Sequence, residues 1–361
     1  MTIATKDRVE VSASGEAAVR EAIRLVVDGH LLTRQQAASA MDAVMSGLAT
    51  NSQIGALMTG LRIRGETDDE IAGFAESMRR HALTVPVKYN GPIVDTCGTG
   101  GDGANTFNIS TAAAFVVAGL GVKVAKHGNR AMSSRCGSAD VLEGLGVRID
   151  LGPAEVAECI DDVGIGFMFA QVFHPAMRFA GPVRKEIGVR TAFNLLGPIT
   201  NPAGAQHQVV GVPNCAAAER IARVLAMLGT RHAVVVCSND GLDEFSISSE
   251  NIVHDVVVNG KVDVSSYVLT AEEVGLRPAP LSEVRGGTVE ENARIVRGVL
   301  GGVDSAARTI TLLNAGAALY AADAAGSIRE GVELAAESID SGAAAAKMDR
   351  LIAVTRRMGG D

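Results

Sequence analysis

The segment with the clearest chemical potential is a glycine-rich loop, Gly98-Thr-Gly-Gly-Asp-Gly103, which follows a short apolar run. Four glycines within six residues allow backbone N–H groups to approach an anion closely. A helical pattern begins near Ser110, so the positive end of a helix dipole would lie just beyond the loop. This arrangement predicts a site for a phosphate or diphosphate. The alternative is a tight strand-to-helix turn that binds nothing.

Two common nucleotide-binding motifs fit the loop poorly. The glycines satisfy G-x-G-x-x-G, but that motif expects an acidic residue about 20 positions later. Here the next strand ends in Lys126-His127, which suits a phosphate better than a ribose diol. A Walker loop requires Lys and then Ser or Thr after its last glycine, and Ala104-Asn105 stand there instead.

The next segment, Val122–Arg130, consists of an apolar run and its cationic end, and we call it the cationic turn. It is predicted to face the glycine loop. Carboxyl ends of parallel strands lie on one edge of a sheet, where ligands bind. The polar groups expected there for phosphate oxygens are Lys126, His127, Asn129 and Arg130, followed by the hydroxyls of Ser133, Ser134 and Ser138. The alternative is a solvated loop in which Ser138 only caps a helix.

Adjacent acids follow a third apolar run, Ala233–Cys237. Asp243 and Glu244 beside a diphosphate site predict Mg²⁺, a hard ion that binds oxygen, and Ser110 offers a further oxygen ligand. Asp240 is either a further acid of this site or a residue that shapes a turn with Gly241. A solvated turn is the alternative for the whole segment.

Candidates for binding an acceptor are fewer. Arg178 and Arg184 could pair with a substrate carboxylate, although either could equally be a surface charge. No Ser/His/Asp or Cys/His nucleophile arrangement stands out among the residues. A reaction driven by positioning and by metal-assisted departure of a leaving group would not need one.

The elements that must position these groups divide the chain in two. Helical spacings dominate residues 15–83, and β-branched runs alternate with helical patterns after residue 92. Asn259-Gly260 indicates a hairpin, and residues 289–359 are Ala-rich and helical. We therefore expect an α/β protein: a small all-helical domain over residues 1–85 and a larger α/β domain over residues 86–361, with a central, mostly parallel sheet.

Composition argues against several classes of function. A net charge of -8 and an aromatic content of 3% disfavour nucleic-acid binding. The longest apolar stretch, Ala112–Val122, is far shorter than the roughly 20 residues of a membrane span. The five cysteines show no metal-binding spacing, and such scattered thiols, with no signal-peptide pattern, predict a cytoplasmic protein.

Six motifs in this order resemble the anthranilate phosphoribosyltransferase family. They are Gly98–Gly103, Asn108–Thr111, Lys126–Arg130, Gly137–Asp140, Asn194–Pro198 and Asp240–Glu244. The resemblance implies a glycosyltransferase of tryptophan biosynthesis that joins the 5-phosphoribosyl group of phosphoribosyl diphosphate (PRPP) to the amine of anthranilate. It also implies a homodimer, Mg²⁺ with two ions, and a helical domain that takes in part of residues 165–190.

The resemblance also assigns residues by position. PRPP would contact Gly98, Gly101, Asp102, Thr106, Asn108, Ile109, Ser110, Thr111, Lys126, His127, Gly128, Asn129, Arg130, Ser133, Ser134 and Ser138. Anthranilate would contact Gly98, Asn129 and Arg184, and Mg²⁺ would be held by Ser110, Asp243 and Glu244. Two alternatives remain: a pyrimidine nucleoside phosphorylase, against which Asp243-Glu244 speaks, and a noncatalytic nucleic-acid-binding relative, which the net charge disfavours.

Overall fold

The computed structural model describes residues 3–131 and 134–359, with side chains from residue 15 onward. The α-helices are α1 (Ile3–Val27), α2 (Arg34–Met45), α3 (Asn51–Arg64), α4 (Asp68–His81), α5 (Ile109–Gly119), α6 (Ser138–Leu145), α7 (Pro153–Glu158), α8 (Ala170–Phe173), α9 (Met177–Ile187), α10 (Phe193–Leu196), α11 (Cys215–Met227), α12 (Val289–Leu300), α13 (Ala306–Ala321), α14 (Ile328–Asp340) and α15 (Ala343–Met358). The strands are β1 (Ile93–Gly98), β2 (Lys123–Gly128), β3 (Ile165–Phe169), β4 (His207–Gly211), β5 (His232–Ser238), β6 (Asn251–Val258) and β7 (Val262–Leu269).

The chain forms two compact units. The helical unit comprises Met1–Leu83 and His174–Thr200, and the α/β unit comprises Thr84–Phe173 and Asn201–Asp361. Of the stretch 165–190, residues 165–173 belong to the α/β unit, because β3 pairs with β2 in its sheet.

Local sequence signals explain the helix starts of the helical unit. Thr33, Thr50 and Thr67 each accept a hydrogen bond from the backbone N–H three residues later, and Gln or Glu at that position bonds back to the capping residue. Apolar side chains such as Met41, Leu57 and Phe74 fill the interior of this unit and are fully buried.

The α/β unit contains a seven-stranded sheet in the order β3-β2-β1-β4-β5-β6-β7. The first five strands are parallel and the last two are antiparallel, which confirms the expected mostly parallel sheet. The hairpin predicted around Asn259-Gly260 joins β6 to β7. Small side chains dominate the packing of α5, as expected for a chain poor in aromatic residues.

One alternative and one expectation from the sequence are wrong. The alternative in which Ser138 only caps a helix fails, because Gly137 occupies the N-cap of α6 and Ser138 is the first helical residue. The cysteines are not all thiols, because Cys215 and Cys237 form a disulfide with Cα atoms 5.2 Å apart. Their separation of 22 residues in sequence gives no sign of this pairing, which arises because α11 packs against β5.

None of the helices in the described part of the chain is long and apolar enough to span a membrane.

Candidate active site

The order of the parallel strands brings three polar segments to one edge of the sheet. β2, β1, β4 and β5 are consecutive neighbours, so their carboxyl ends lie side by side. The glycine loop begins at the last residue of β1, the cationic turn contains β2 and the two residues after it, and the acid loop, Asn239–Glu244, follows β5. The predicted convergence of these segments depends on this strand order, in which β4 separates β1 from β5.

The acid loop crosses β4 and meets the glycine loop directly. Gly100 donates its backbone N–H to Oδ2 of Asp243 at 2.7 Å. Gly98 and Gly211 leave room for this approach, because a Cβ atom would lie 2.1 Å from the Asp243 Oδ2 atom at position 98 and 1.7 Å from the Asp243 carbonyl oxygen at position 211. Glycine at both positions is therefore a condition for the contact.

Ser110, in the first turn of α5, is a second meeting point. Its backbone N–H donates to Oε1 of Glu244 at 3.2 Å, and its hydroxyl accepts a hydrogen bond from Nζ of Lys126 at 3.3 Å. Lys126 also donates to the Thr96 carbonyl at 2.6 Å. The three elements that carry Ser110, Lys126 and Glu244 are thus joined by hydrogen bonds at the sheet edge.

The acids at this edge are crowded and mostly removed from water. Burial raises the pKa of Asp243 well above its usual value, and the neighbouring Glu244 and Asp102 carboxylates raise it further. Burial also raises the pKa of Glu244, to about 7, although Lys126 opposes this shift. A cluster of carboxylates that repel one another is electrostatically suited to a divalent cation.

Among the described residues, no three His, Cys, Asp or Glu side chains are grouped so that they could hold a metal ion by themselves. A Mg²⁺ ion at Asp243 and Glu244 therefore needs further oxygen ligands, which the Ser110 hydroxyl and a diphosphate could supply.

Two threonine hydroxyls support the assignment of an anion site. The Oγ1 atoms of Thr99, within the glycine loop, and Thr111, in the first turn of α5, are buried without a hydrogen-bond partner among the described residues. Buried hydroxyls are normally satisfied, so an unmet donor next to a glycine loop indicates a place for a ligand oxygen. The sequence predicts Thr111 as a site residue but not Thr99.

The cationic turn contributes its groups unequally. Lys126 is buried, and burial lowers its pKa. His127 donates its backbone N–H to Asp95 at 3.2 Å, while Asn129 and Arg130 are exposed. The Arg130 guanidinium binds Asp140 at 2.9 Å and also pairs with Glu143.

The other residues predicted to contact PRPP lie along the three segments from the glycine loop to α6. Ser138 donates to the Asn129 carbonyl at 3.3 Å, Gly128 ends β2, and Ser134 is exposed. Gly101, Asp102 and Thr106 lie in the glycine loop and its continuation, and Asn108 and Ile109 lie at the start of α5. Ser133 lies outside the described residues.

Arg184 belongs to the helical unit, on α9. Its guanidinium lies 5.1 Å from the ring centroid of Phe193, and burial lowers its pKa. Within the described part of the chain no carboxylate pairs with it, which leaves its charge available to a ligand anion. Arg178 stacks on Phe179 at 4.7 Å, so stacking on an aromatic ring does not distinguish the two arginines.

Sequence reasoning misses the buried polar residues whose hydrogen bonds hold the strands that carry the site. Asp95 is fully buried, accepts from His127 and also accepts from Nδ2 of Asn201 at 2.7 Å. Asn201 donates in addition to the Ala125 carbonyl at 2.9 Å. Asn201 lies in a turn-rich segment whose pattern indicates structure rather than chemistry, and its contact with Asp95 cannot be inferred from sequence spacing.

Comparison with known proteins places this geometry in a family. Residues 20–82 match the helical bundle domain of the glycosyl transferase family, and residues 90–345 match its a/b domain. The chain is 57% identical over 339 residues to an anthranilate phosphoribosyltransferase from Roseiflexus sp. (strain RS-1), covering 94% of this chain and 98% of that protein. The chain belongs to the anthranilate phosphoribosyltransferase family.

Solved structures of the anthranilate phosphoribosyltransferase family share the fold. The enzyme from Thermus thermophilus superposes with a TM-score of 0.87 at 45% identity, covering 93% of this chain and 99% of that one. The enzyme from Saccharomyces cerevisiae, solved in complex with PRPP and Mg, superposes with a TM-score of 0.85 at 26% identity, covering 95% and 99%.

Proposed function

We propose that this chain transfers the 5-phosphoribosyl group of PRPP to the amine of anthranilate, giving N-(5-phosphoribosyl)anthranilate and diphosphate, the second step of tryptophan biosynthesis. The observation that carries the proposal is the contact between the glycine loop and the acid loop, in which Gly100 binds Asp243 at 2.7 Å. An anion-binding loop beside paired carboxylates suits a substrate with a diphosphate leaving group. Membership of the family supports the same reaction.

The chain's own residues would bind and orient PRPP. The positive dipole end of α5 and the buried hydroxyls of Thr99 and Thr111 would face the diphosphate. The N–H groups of Gly100 and Ser110 are engaged by Asp243 and Glu244. The buried Lys126 adds a cation beneath them. The turn from Asn129 to Ser138 would bind the remaining phosphate oxygens.

Ser110, Asp243 and Glu244 would hold Mg²⁺, and we propose two ions, as the resemblance implies. When bound, Mg²⁺ neutralises negative charge on the departing diphosphate. The crowding of Asp243, Glu244 and Asp102 supports this assignment, because the Glu244 and Asp102 carboxylates raise the pKa of Asp243 and a cation relieves that repulsion.

The acceptor would be positioned rather than chemically activated. Arg184 binds the anthranilate carboxylate, while Gly98 and Asn129 contact the ring and amine. An aryl amine is neutral near physiological pH, so no strong general base is needed. Holding the amine near ribose C1 converts a bimolecular step into one within a complex. A yeast relative solved with 4-fluoroanthranilate supports a site for such an acceptor.

We further propose that the protein is a homodimer and that it acts in the cytoplasm. Exposed apolar side chains on the helical unit support the dimer: Val27, Leu31 and Ile63. The Cys215–Cys237 disulfide removes one argument for the cytoplasm, because its formation is uncommon in a reducing compartment.

The proposal is tested by following anthranilate fluorescence with purified protein, PRPP and Mg²⁺, with EDTA added to a parallel sample. Loss of fluorescence that requires both PRPP and the metal is the expected result. If a folded protein gives no loss, the activity is rejected. Phosphorolysis of pyrimidine nucleosides and binding of single-stranded DNA at low salt would then be assayed.

A further inference from the structure

A buried amide on α12 lies one hydrogen bond away from the proposed PRPP site. Asn292 is 1% exposed. Its Nδ2 group donates to Oδ1 of Asn108 at 2.9 Å, and its Oδ1 atom accepts from the Gly287 backbone N–H at 2.7 Å. Asn108 in turn donates from Nδ2 to the Cys136 carbonyl at 3.1 Å. These bonds link α12, the start of α5 and the turn before α6.

The partners of Asn108 dictate which way its amide faces. The oxygen of Asn292 is engaged by Gly287, so Asn292 offers Asn108 a donor, and the Cys136 carbonyl can only accept. Asn108 therefore turns its oxygen toward Asn292 and its NH₂ group toward Cys136. An amide has two donor hydrogens and two acceptor lone pairs, so one of each is left for a ligand.

The backbone beside Asn108 is held by the segment that precedes α12. The Phe107 N–H donates to the Val284 carbonyl at 3.1 Å, and the Gly286 N–H donates to the Asn105 carbonyl at 2.9 Å. Thr106 and Arg285 form an antiparallel bridge between these two bonds. The segment 284–287 thus fixes the main chain of the loop, and the orientation of the Asn108 side chain depends on Asn292 together with the Cys136 carbonyl.

We propose that Asn292 is a positioning residue for PRPP, which acts by holding the Asn108 amide in the orientation that PRPP requires. This inference rests on the proposed function. Without Asn292, the Asn108 oxygen loses its partner and one hydrogen bond, to the Cys136 carbonyl, is left to orient the amide. PRPP binding must then restrict a less ordered side chain. Preorganisation of this kind mainly affects affinity for the ligand that the group contacts.

The proposal predicts a split between kinetic constants. Asn292→Ala should raise the KM for PRPP and the Kd for PRPP measured by calorimetry roughly tenfold, the scale expected for one buried hydrogen bond. The KM for anthranilate and kcat at saturating PRPP should change little. A merely structural role would lower kcat through the folded fraction and leave both KM values unchanged.

Two further variants distinguish a loss of PRPP positioning from a folding defect. Asn292→Asp keeps the acceptor for Gly287 but faces the Asn108 oxygen with a charge. The ratio of its KM for PRPP to that of the wild type at the same pH should therefore fall as pH is lowered and the carboxyl becomes a donor. In the double variant Asn108→Ala/Asn292→Ala, the KM for PRPP should equal that of Asn108→Ala alone, because the effect of Asn292 passes through Asn108.

The matched control is Ser338→Ala. It removes a buried hydrogen bond of 2.7 Å from Ser338 to the carbonyl of Val116, which lies on α5, the helix that begins after Asn108. It should leave the KM for PRPP unchanged. Wild-type affinity for PRPP in both Asn292 variants, or additive effects in the double variant, would overturn the positioning role while the proposed activity stands. If the wild-type protein neither binds PRPP nor consumes anthranilate, the proposed function fails and the positioning role falls with it.

Discussion

At the scale of single residues, the acid loop combines an unfavourable burial of charge with a proposed role in metal binding. Asp243→Asn keeps an oxygen that can accept from Gly100 but removes one of three crowded charges. We expect kcat/KM to fall on the order of 100-fold, because charge on the leaving diphosphate is less well stabilised. Thermal stability without Mg²⁺ at pH 8 should rise, because like-charge repulsion is relieved.

Steady-state kinetics and differential scanning fluorimetry measure both effects on one preparation. Glu250→Gln is the control, because Glu250 is an exposed acid shortly after the same loop. It should alter neither quantity beyond the scatter of surface substitutions, about 0.5 kcal/mol in stability. Unchanged activity in Asp243→Asn would contradict the metal assignment.

Arg184 tests the acceptor side. Arg184→Ala should raise the KM for anthranilate at least tenfold and that of PRPP far less, because a charge-assisted pair with a carboxylate is worth about 1.5–3 kcal/mol. Arg178→Ala is matched to it, since both arginines stack on a phenylalanine of the helical unit. Equal effects of Arg184→Ala on the two substrates would remove the assignment.

At the scale of elements, the close approach of the acid loop to β4 is the most demanding contact of the site. A Cβ atom at Gly211 would lie 1.7 Å from the Asp243 carbonyl oxygen, so Gly211→Ala must displace the acid loop. We expect activity to fall at least tenfold and the apparent affinity for Mg²⁺ to fall with it. Gly298→Ala, in α12, should keep full activity and gain up to about 1 kcal/mol in stability. Equal activity of the two variants would refute this account of β4.

The opposite edge of the sheet contains a histidine between two acids. His232 binds Asp255 at 3.1 Å and Asp323 at 2.7 Å, and Tyr320 donates to Asp255 at 2.6 Å. Burial lowers the pKa of His232, but the two carboxylates outweigh burial and the net pKa is raised. His207 also lies near, 3.9 Å from Asp323.

This cluster should make stability depend on pH in a defined direction. A raised pKa in the folded state contributes stability that is fully present below the ordinary histidine pKa, about 6.5, and is lost as pH rises through the folded value. The melting temperature of His232→Gln should therefore lie furthest below that of the wild type near pH 6 and approach it near pH 9. His30→Gln, at an exposed site, should show no such trend. A gap that widens with pH would contradict the assignment.

The sequence predicts secondary-structure elements better than it predicts which distant residues come into contact. The apolar run Ala233–Cys237 locates β5 within one residue at each end, and the turn signal locates the hairpin at Asn259-Gly260, because these depend on local chemistry. The glycine loop and acid pair are recognisable for the same reason. Long-range partners are not: Asp95 with Asn201, and Asn108 with Asn292, are 106 and 184 residues apart. Only the order of strands and the packing of helices bring such groups together.

At the scale of the whole molecule, oligomeric state follows from surfaces that the fold leaves uncovered. Val27, Leu31 and Ile63 of the helical unit are 71%, 61% and 82% exposed, and covering large aliphatic side chains in an interface would be favourable. A second copy is the simplest partner, because most homo-oligomers are twofold dimers. The proposed homodimer would have about twice the chain mass of 37.2 kDa.

Sedimentation velocity can test both the state and the surface. The wild type should sediment as a dimer, and Leu31→Glu/Ile63→Glu should shift the equilibrium to monomer by at least tenfold, because two charges would be buried against apolar groups. Val303→Glu is matched to it: Val303 is 57% exposed on the α/β unit and should leave the dimer intact. A monomeric wild type would refute the dimer. A dimer that survives Leu31→Glu/Ile63→Glu but dissociates in Val303→Glu would place the interface on the α/β unit instead.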